Sequence, residues 1–203
     1  MNLLMAAATG SGTGGAPPFS GGTPGTPFKG TVLATDFITG PGLASAVGLT
    51  AGTSINTTGG WFKYVTAGGV TMYVAAMPFR NNVTWEALNG LGIVTGSTTT
   101  FINGLKYKVR MLTGVTTNPG TTPGGEFTTY LLPMTNGTFA TYTTAALGYV
   151  QYGGNYLETL CQEVYSGTSH VARGYPAFGD VWYITANTPQ VWYGWRPVLE
   201  LVG

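Results

Sequence analysis

The chain changes character at one point, between Gly60 and Trp61, and that break limits what it can fold into. From Thr9 to Gly60 the residues are mostly Gly, Thr, Ser, Pro and Ala, with Lys29 and Asp36 the only charged side chains. Such a stretch buries too little apolar surface to offset its own ordering entropy, so alone it is expected to be disordered or extended. Small apolar islands nevertheless interrupt it at Phe19, Phe28, Val32-Leu33 and Phe37-Ile38. Residues 1–60 are therefore read as an extended N-terminal assembly arm whose anchors, Phe19, Phe28, Phe37 and Ile38, dock on other subunits. Stretched out, about 50 residues reach beyond ~100 Å, enough to cross a neighbour. The simpler reading is an ordinary linker.

From Trp61 onward the pattern is that of strands. Trp61 to Thr66 and Val70 to Ala75 are rich in β-branched and aromatic residues and flank Ala67-Gly68-Gly69, a hairpin signature. Thr84 to Gly90 reads as a short helix, with Thr84 as N-cap, Glu86 in the first turn and Gly90 as the left-handed exit. A second hairpin is expected around Asn103-Gly104, with Tyr107, Val109 and Met111 facing the core and Lys106, Lys108 and Arg110 on the solvated side. Val115 to Gly125 should be a surface loop, and Phe127, Tyr130 and Leu131 suit one helical face. Glu158–Val164, Val171–Gly174, Val181–Thr185 and Val191–Val202 read as closing strands, and Pro197 points to an edge or bulge in the last.

Composition narrows the function classes. Only 7% of residues are charged while 43% are hydrophobic, against a usual charged share of about 25%. This fits a surface partly buried against partner subunits, or a surface hydrated by neutral hydroxyls and amides. A net charge of +1 offers no basic footprint for nucleic acid. The sole cysteine, Cys161, has no disulfide partner within the chain and reads as a small buried hydrophobe. The apolar start lacks a basic leader, and no uninterrupted apolar run is long enough for a membrane span.

Catalytic signatures are missing from the sequence. A Ser-His-Asp hydrolase needs a placed histidine, and the one histidine, His170, sits in a polar Gly-Thr-Ser-His stretch that reads as an exposed turn. The carboxylates Glu126, Glu158, Glu163, Asp180 and Glu200 stand in no glycosidase pattern. One Cys and one His cannot supply a zinc site, no loop gathers calcium ligands, and no phosphate loop is present. No cofactor or metal is expected. Arg173 and Arg196 lie in otherwise apolar strands and need acceptors if buried; pairing with Glu163, Glu200 or Glu126 is expected, as structural ion pairs.

Five stretches occur in a telling order: Trp61-Phe62-Lys63-Tyr64 with Met72-Tyr73-Val74-Ala75, then Tyr107 to Gly114, then Leu160-Cys161-Gln162-Glu163, then Arg173-Gly174-Tyr175, and last Tyr193 to Leu201 with its Gly-Trp-Arg-Pro-Val-Leu-Glu. In that order and spacing, residues 61–203 resemble a group of tailed-bacteriophage virion proteins whose domain is similar to the C-type-lectin-like, formylglycine-generating-enzyme-like fold. That family carries tryptophan where Leu160 and Phe127 stand here, and both departures keep an apolar side chain. The resemblance transfers neither calcium-dependent sugar binding nor oxidase activity, because the lectin calcium signatures and the cysteine pair are absent.

The expected fold is therefore α+β, mostly β: a C-type-lectin-like domain over 61–203 with short helices, behind the 1–60 arm. The resemblance implies a non-enzymatic virion protein, a capsid decoration or cementing subunit or a small connector or baseplate part, contacting other capsid or tail proteins and copies of itself. The alternative is a receptor-binding adhesin of a fibre or spike that recognises host surface glycan. Its candidate face is Trp182, Tyr183, Asn187, Gln190, Trp192 and Tyr193, of which alternate residues are expected to belong to the core.

Overall fold

A computed structural model of the chain describes residues 19–116, 125–152 and 154–202. In chain order the first half contains β1 (Ser20–Gly21), β2 (Phe28–Val32), helix α1 (Gly40–Ala46), β3 (Thr53–Ser54), β4 (Trp61–Val65), β5 (Thr71–Ala75), β6 (Arg80–Asn81), helix α2 (Trp85–Gly90), β7 (Thr98–Ile102) and β8 (Leu105–Met111). The second half adds β9 (Gln151–Tyr152), β10 (Asn155–Tyr156), β11 (Glu158–Ser166), β12 (Ser169–Arg173), β13 (Val181–Thr185), β14 (Tyr193–Trp195) and β15 (Pro197–Leu201). The fold is α+β and mostly β, as expected.

Seven strands form one sheet in the order β1-β2-β4-β5-β15-β8-β7, and six form a second in the order β13-β12-β11-β14-β6-β3. Because successive strand residues point to opposite faces, the first sheet feeds two cores. Trp61, Tyr73, Val109 and Leu199 face inward to meet Leu160, Ala172 and Trp195 of the second sheet. Phe62, Tyr64, Met72, Val74 and Val198 face outward and are covered by Phe127, Leu131, Met134 and Leu147 from the segment after the loop. A sheet buried on both faces reads as continuous apolar runs without clean alternation. That explains Trp61-Phe62 and Met72-Tyr73-Val74-Ala75.

The two hairpins form as predicted. Asn103 (φ 50°) and Gly104 (φ 78°) make the tight turn between β7 and β8, the positive-φ pair such a turn requires. Thr84 caps α2 by accepting from the Ala87 N–H at 3.1 Å, while the left-handed residue is Gly92, two positions beyond the expected Gly90. The Phe127 face is helical but wound as a π-turn over Phe127–Leu131, which buries Phe127 and Leu131. Pro197 sits neither on an edge nor in a bulge. It opens the central strand β15, where the chain passes from one sheet to the other and the missing N–H does least harm.

The expected boundary at residue 60 needs correction. β2 pairs with β4, joining Thr31 to Phe62 and Val32 to Trp61, and α1 contributes Leu43 and Ala44 to the inner core. Two of the proposed anchors are themselves core residues: Phe28 is buried against Phe62 and Tyr64, and Phe37 against Trp61, Tyr73 and Tyr107. Ile38 packs beside them and its carbonyl accepts from Trp61 Nε1 at 2.8 Å. The islands thus serve the chain's own sheet, because Gly- and Thr-rich backbone between them can pair while large side chains at intervals fill the core. Phe19 alone stays half-exposed, with Lys63 Nζ 4.0 Å over its ring. Residues 1–18 of the expected arm lie outside the described residues.

Candidate functional site

Buried charge shows where the fold is built for its own sake. Arg110, expected on the solvated face, is buried: its Nη atoms meet both Glu126 oxygens at 2.5 and 2.6 Å, and its Nε meets Glu200 at 2.9 Å. It shares the outer face of β8 and β15 with Val198, so two of the three carboxylates expected for Arg173 and Arg196, Glu126 and Glu200, belong to Arg110. Arg196 lies at the joint between β14 and β15, fully buried, and donates to the carbonyls of Ala75, Ala76 and Leu147 and to the Thr159 hydroxyl. Arg173 donates to the carbonyls of Gly114, Val115 and Gly179. Glu163 accepts from the Gly114 N–H at 2.8 and 2.9 Å. Arg173 and Arg196 therefore tie loops and strands through backbone carbonyls, the acceptors most abundant where strands meet.

His170 likewise differs from expectation. It is buried on β12, stacked on Trp85 with ring centroids 3.8 Å apart, and burial lowers its pKa. Trp85 in turn donates to the Cys161 carbonyl at 2.9 Å. Cys161 is free and buried, and burial pushes its thiol well above the usual range. These are packing residues.

One place is different. The first residues of β11 and β14 run parallel, with Glu158 opposite Tyr193, and the Glu158 N–H donates to the Trp192 carbonyl at 2.7 Å. The close approach requires Gly194: a Cβ there would stand 2.7 Å from Pro78 and 2.8 Å from the Glu158 carbonyl. The segment before β14 is held by β6 and its neighbour, since Asn81 Nδ2 donates to the Val191 carbonyl at 2.7 Å and the Asn82 N–H to that of Gln190 at 3.0 Å. On the other side β12 ends at Arg173, and the turn that follows is closed by Gly174 N–H on the Asp180 carbonyl and Ala177 N–H on the Asp180 carboxylate. That turn places Tyr175 beside Trp182 of β13, their rings 5.1 Å apart at 69°. Asn155 of β10 completes the ring.

The result is a pocket of about 230 Å³ lined by Asn155, Glu158, Tyr175, Trp182, Trp192 and Tyr193. Trp182 is exposed at 45%, Trp192 half-buried and Tyr193 buried, so the walls grade from rim to floor. Glu158 is 2% exposed, and its Oε2 has no hydrogen-bond partner among the described residues. Burial alone drives its carboxyl up to about 8. A glutamate this deep is almost always paired. A perturbed, unpartnered acid in an aromatic cleft is the physical mark of a site. Tyr193 and Tyr149 are raised by their own burial first and by the nearby Glu158 among further causes.

The predicted recognition set is thus divided. Trp182, Trp192 and Tyr193 meet in the pocket. Tyr183 points to the opposite face of β13, stacks on Tyr165 at 3.8 Å and donates to the Thr116 carbonyl. Asn187 is exposed and not among the lining residues, and Gln190 serves through its carbonyl, which also accepts from the Tyr193 N–H at 3.1 Å. Asn155, Glu158 and Tyr175 were missed. A carboxylate inside Tyr-Leu-Glu-Thr-Leu at a strand start was the one available signal, and only the parallel pairing with Tyr193 shows which side chains surround it.

The pocket holds one carboxyl and no nucleophile, and among the described residues no group of three His, Cys, Asp or Glu side chains gathers to hold a metal. No described helix is long and apolar enough to cross a membrane. No family model, curated protein or solved structure matches the chain.

Proposed function

We propose that the chain is a non-enzymatic particle protein of a tailed bacteriophage, with a C-type-lectin-like domain, and that it acts as a receptor-binding component recognising host surface glycan through the Glu158 pocket. The ordered motifs from Trp61 to Leu201 support the family reading. The observation that carries the recognition reading is the cleft itself: four aromatic side chains around a buried acid whose Oε2 has no partner among the described residues. Aromatic walls with a few placed polar groups are the usual make-up of a small-ligand site. With Phe28 and Phe37 in the core, the argument for an anchoring arm rests only on Phe19 and the residues before it.

A second reading, a capsid decoration or connector subunit, keeps one support. Phe101 is 71% exposed and Leu33 65% in a chain that carries very few charges, and these are surfaces a neighbouring subunit would cover. The deciding experiment is binding of the purified chain and of Trp182→Ala to isolated host envelope polysaccharide. Saturable binding lost in the variant supports the receptor-binding role. Absence of binding together with a fixed stoichiometry in the capsid would transfer the assignment to decoration.

A further inference from the structure

The chemistry of the lining says more about the ligand than its class. Of the six side chains around the pocket, four are aromatic, one is an amide and one is a carboxyl. The aromatic residues form two corners, Tyr175 with Trp182 at 69° and Trp192 with Tyr193 at 84°, with centroids 5.1 and 6.3 Å apart. Neither pair is stacked flat, so the pocket between them is bounded on more than one side by π-systems. At about 230 Å³ it falls below the usual range for small-molecule clefts, roughly 300 Å³ and upward. It suits one compact group.

Three compact ligands can be weighed. A sugar ring needs several hydrogen-bond partners to fix its hydroxyls, and the pocket offers only Asn155, Glu158 and the phenol and indole groups at its edges. A primary ammonium has three donors to satisfy, so Glu158, Asn155 and the phenol oxygens would have to converge on one nitrogen, whereas four of the six lining side chains are aromatic. A methylated ammonium donates few hydrogen bonds or none, is attracted to aromatic rings, and needs a single counter-charge. That inventory matches the lining.

We propose that the pocket binds a methylated ammonium group, its methyls surrounded by Tyr175, Trp182, Trp192 and Tyr193 and its charge met by Glu158. This rests on the recognition reading and specifies its ligand. Such a group can be carried by a phosphocholine substituent on a glycan or by a choline lipid headgroup, and the same cage takes either.

Binding is linked to protonation in a defined direction. Empty, Glu158 holds its proton up to about pH 8 because it is desolvated. A bound cation favours the carboxylate, so binding releases a proton and tightens as pH rises toward that value. The groups that face Glu158 are Tyr193 on β14, Tyr149 from the covering segment and Tyr175 on the turn after β12, with Tyr149 and Tyr193 raised by burial. Of the nearby charges, Arg196 donates to Thr159, whose side chain leaves β11 on the other face. Arg173 donates to the Gly114, Val115 and Gly179 carbonyls, and Asp180 accepts from Ala177.

The test is a tryptophan-fluorescence titration of the full chain at about pH 6 and about pH 8.5. The probes are choline, its uncharged isostere 3,3-dimethylbutan-1-ol, and N-acetylglucosamine. Choline is expected to saturate the signal, at least about tenfold more tightly at the higher pH, and to exceed the isostere by at least about tenfold there. Glu158→Gln should abolish that preference with an unchanged circular dichroism spectrum, and Trp182→Ala, at the exposed rim, should abolish binding while remaining folded. Equal binding of choline and isostere would overturn the inference. Saturation by the sugar with none by choline would overturn it and leave glycan recognition standing; no binding by any probe at either pH would overturn it, and failure to bind host envelope polysaccharide as well would sink both. Retention on a phosphocholine-bearing polysaccharide but not on phosphatidylcholine vesicles is the result expected of a glycan receptor, and vesicle binding would assign the ammonium group to lipid.

Discussion

Two buried charged regions lie within one fold and are treated in opposite ways. Around Arg110 and Arg196 each guanidinium is surrounded by acceptors: two carboxylates for the first, three carbonyls and a hydroxyl for the second. At Glu158 a carboxyl of comparable burial faces aromatic rings and an amide, and its Oε2 has no partner among the described residues. Satisfied buried charge holds strands in register. An acid buried without a partner holds its proton and lowers stability where it is made to ionise, which marks it as a candidate site. The contrast separates framework from candidate site.

The contrast can be broken most forcefully at Arg196. Arg196→Met leaves the Ala75, Ala76 and Leu147 carbonyls and the Thr159 hydroxyl without their donor, and a loss of about 5 kcal/mol in urea unfolding is expected, since each stranded group costs roughly 1–3 kcal/mol. Arg110→Met should lose about 3 kcal/mol by orphaning two carboxylates, and adding Glu126→Gln and Glu200→Gln should restore much of it. Recovery in that triple variant is the check that charge, not packing, was lost.

The Glu158 region sharpens the contrast from the other side. The folded chain keeps this proton up to about pH 8, whereas the unfolded chain releases it near 4.5, so folding takes up a proton in between and stability falls as pH rises. Between about pH 5.5 and about pH 7.5 a loss of roughly 2 kcal/mol is expected. In Glu158→Gln that loss should vanish; an unchanged pH slope would show that Glu158 is not the titrating group. The smallest effects belong to the rim. Trp182→Ala should change stability by less than ~0.5 kcal/mol while removing ligand binding, and Tyr183→Phe, on the opposite face, should leave binding intact.

Local signals were legible in the sequence wherever the structure depends on near neighbours. Asn103-Gly104 fixes its hairpin, Thr84 caps its helix, and Tyr107, Val109 and Met111 alternate into the core. Long-range pairing was not legible. Nothing in the Gly- and Thr-rich stretch announces that Val32 will sit opposite Trp61, because neutral small residues carry little register information, and so residues 28–60 read as an arm. His170 read as exposed because its neighbours are polar, while its burial comes from Trp85, far away in sequence. The candidate recognition face was half legible for a related reason. Trp182, Trp192 and Tyr193 stand out as aromatics, whereas Glu158 gains meaning only from the parallel contact that joins residues far apart in the chain.

The position of β15 has a consequence for how the molecule is made. It lies between β5 and β8, pairing with both, although every other described strand precedes it in the chain. Until it arrives, the large sheet exists as two unjoined parts, each with an unpaired edge. Contacts between such distant segments must meet the full entropy of closing long loops before they return any stability, which makes folding slow and leaves partly made chains prone to pair with one another. β15 therefore works as a latch: the two parts of the large sheet stay separate until it docks between β5 and β8, and it is the strand on which closure of the sheet depends.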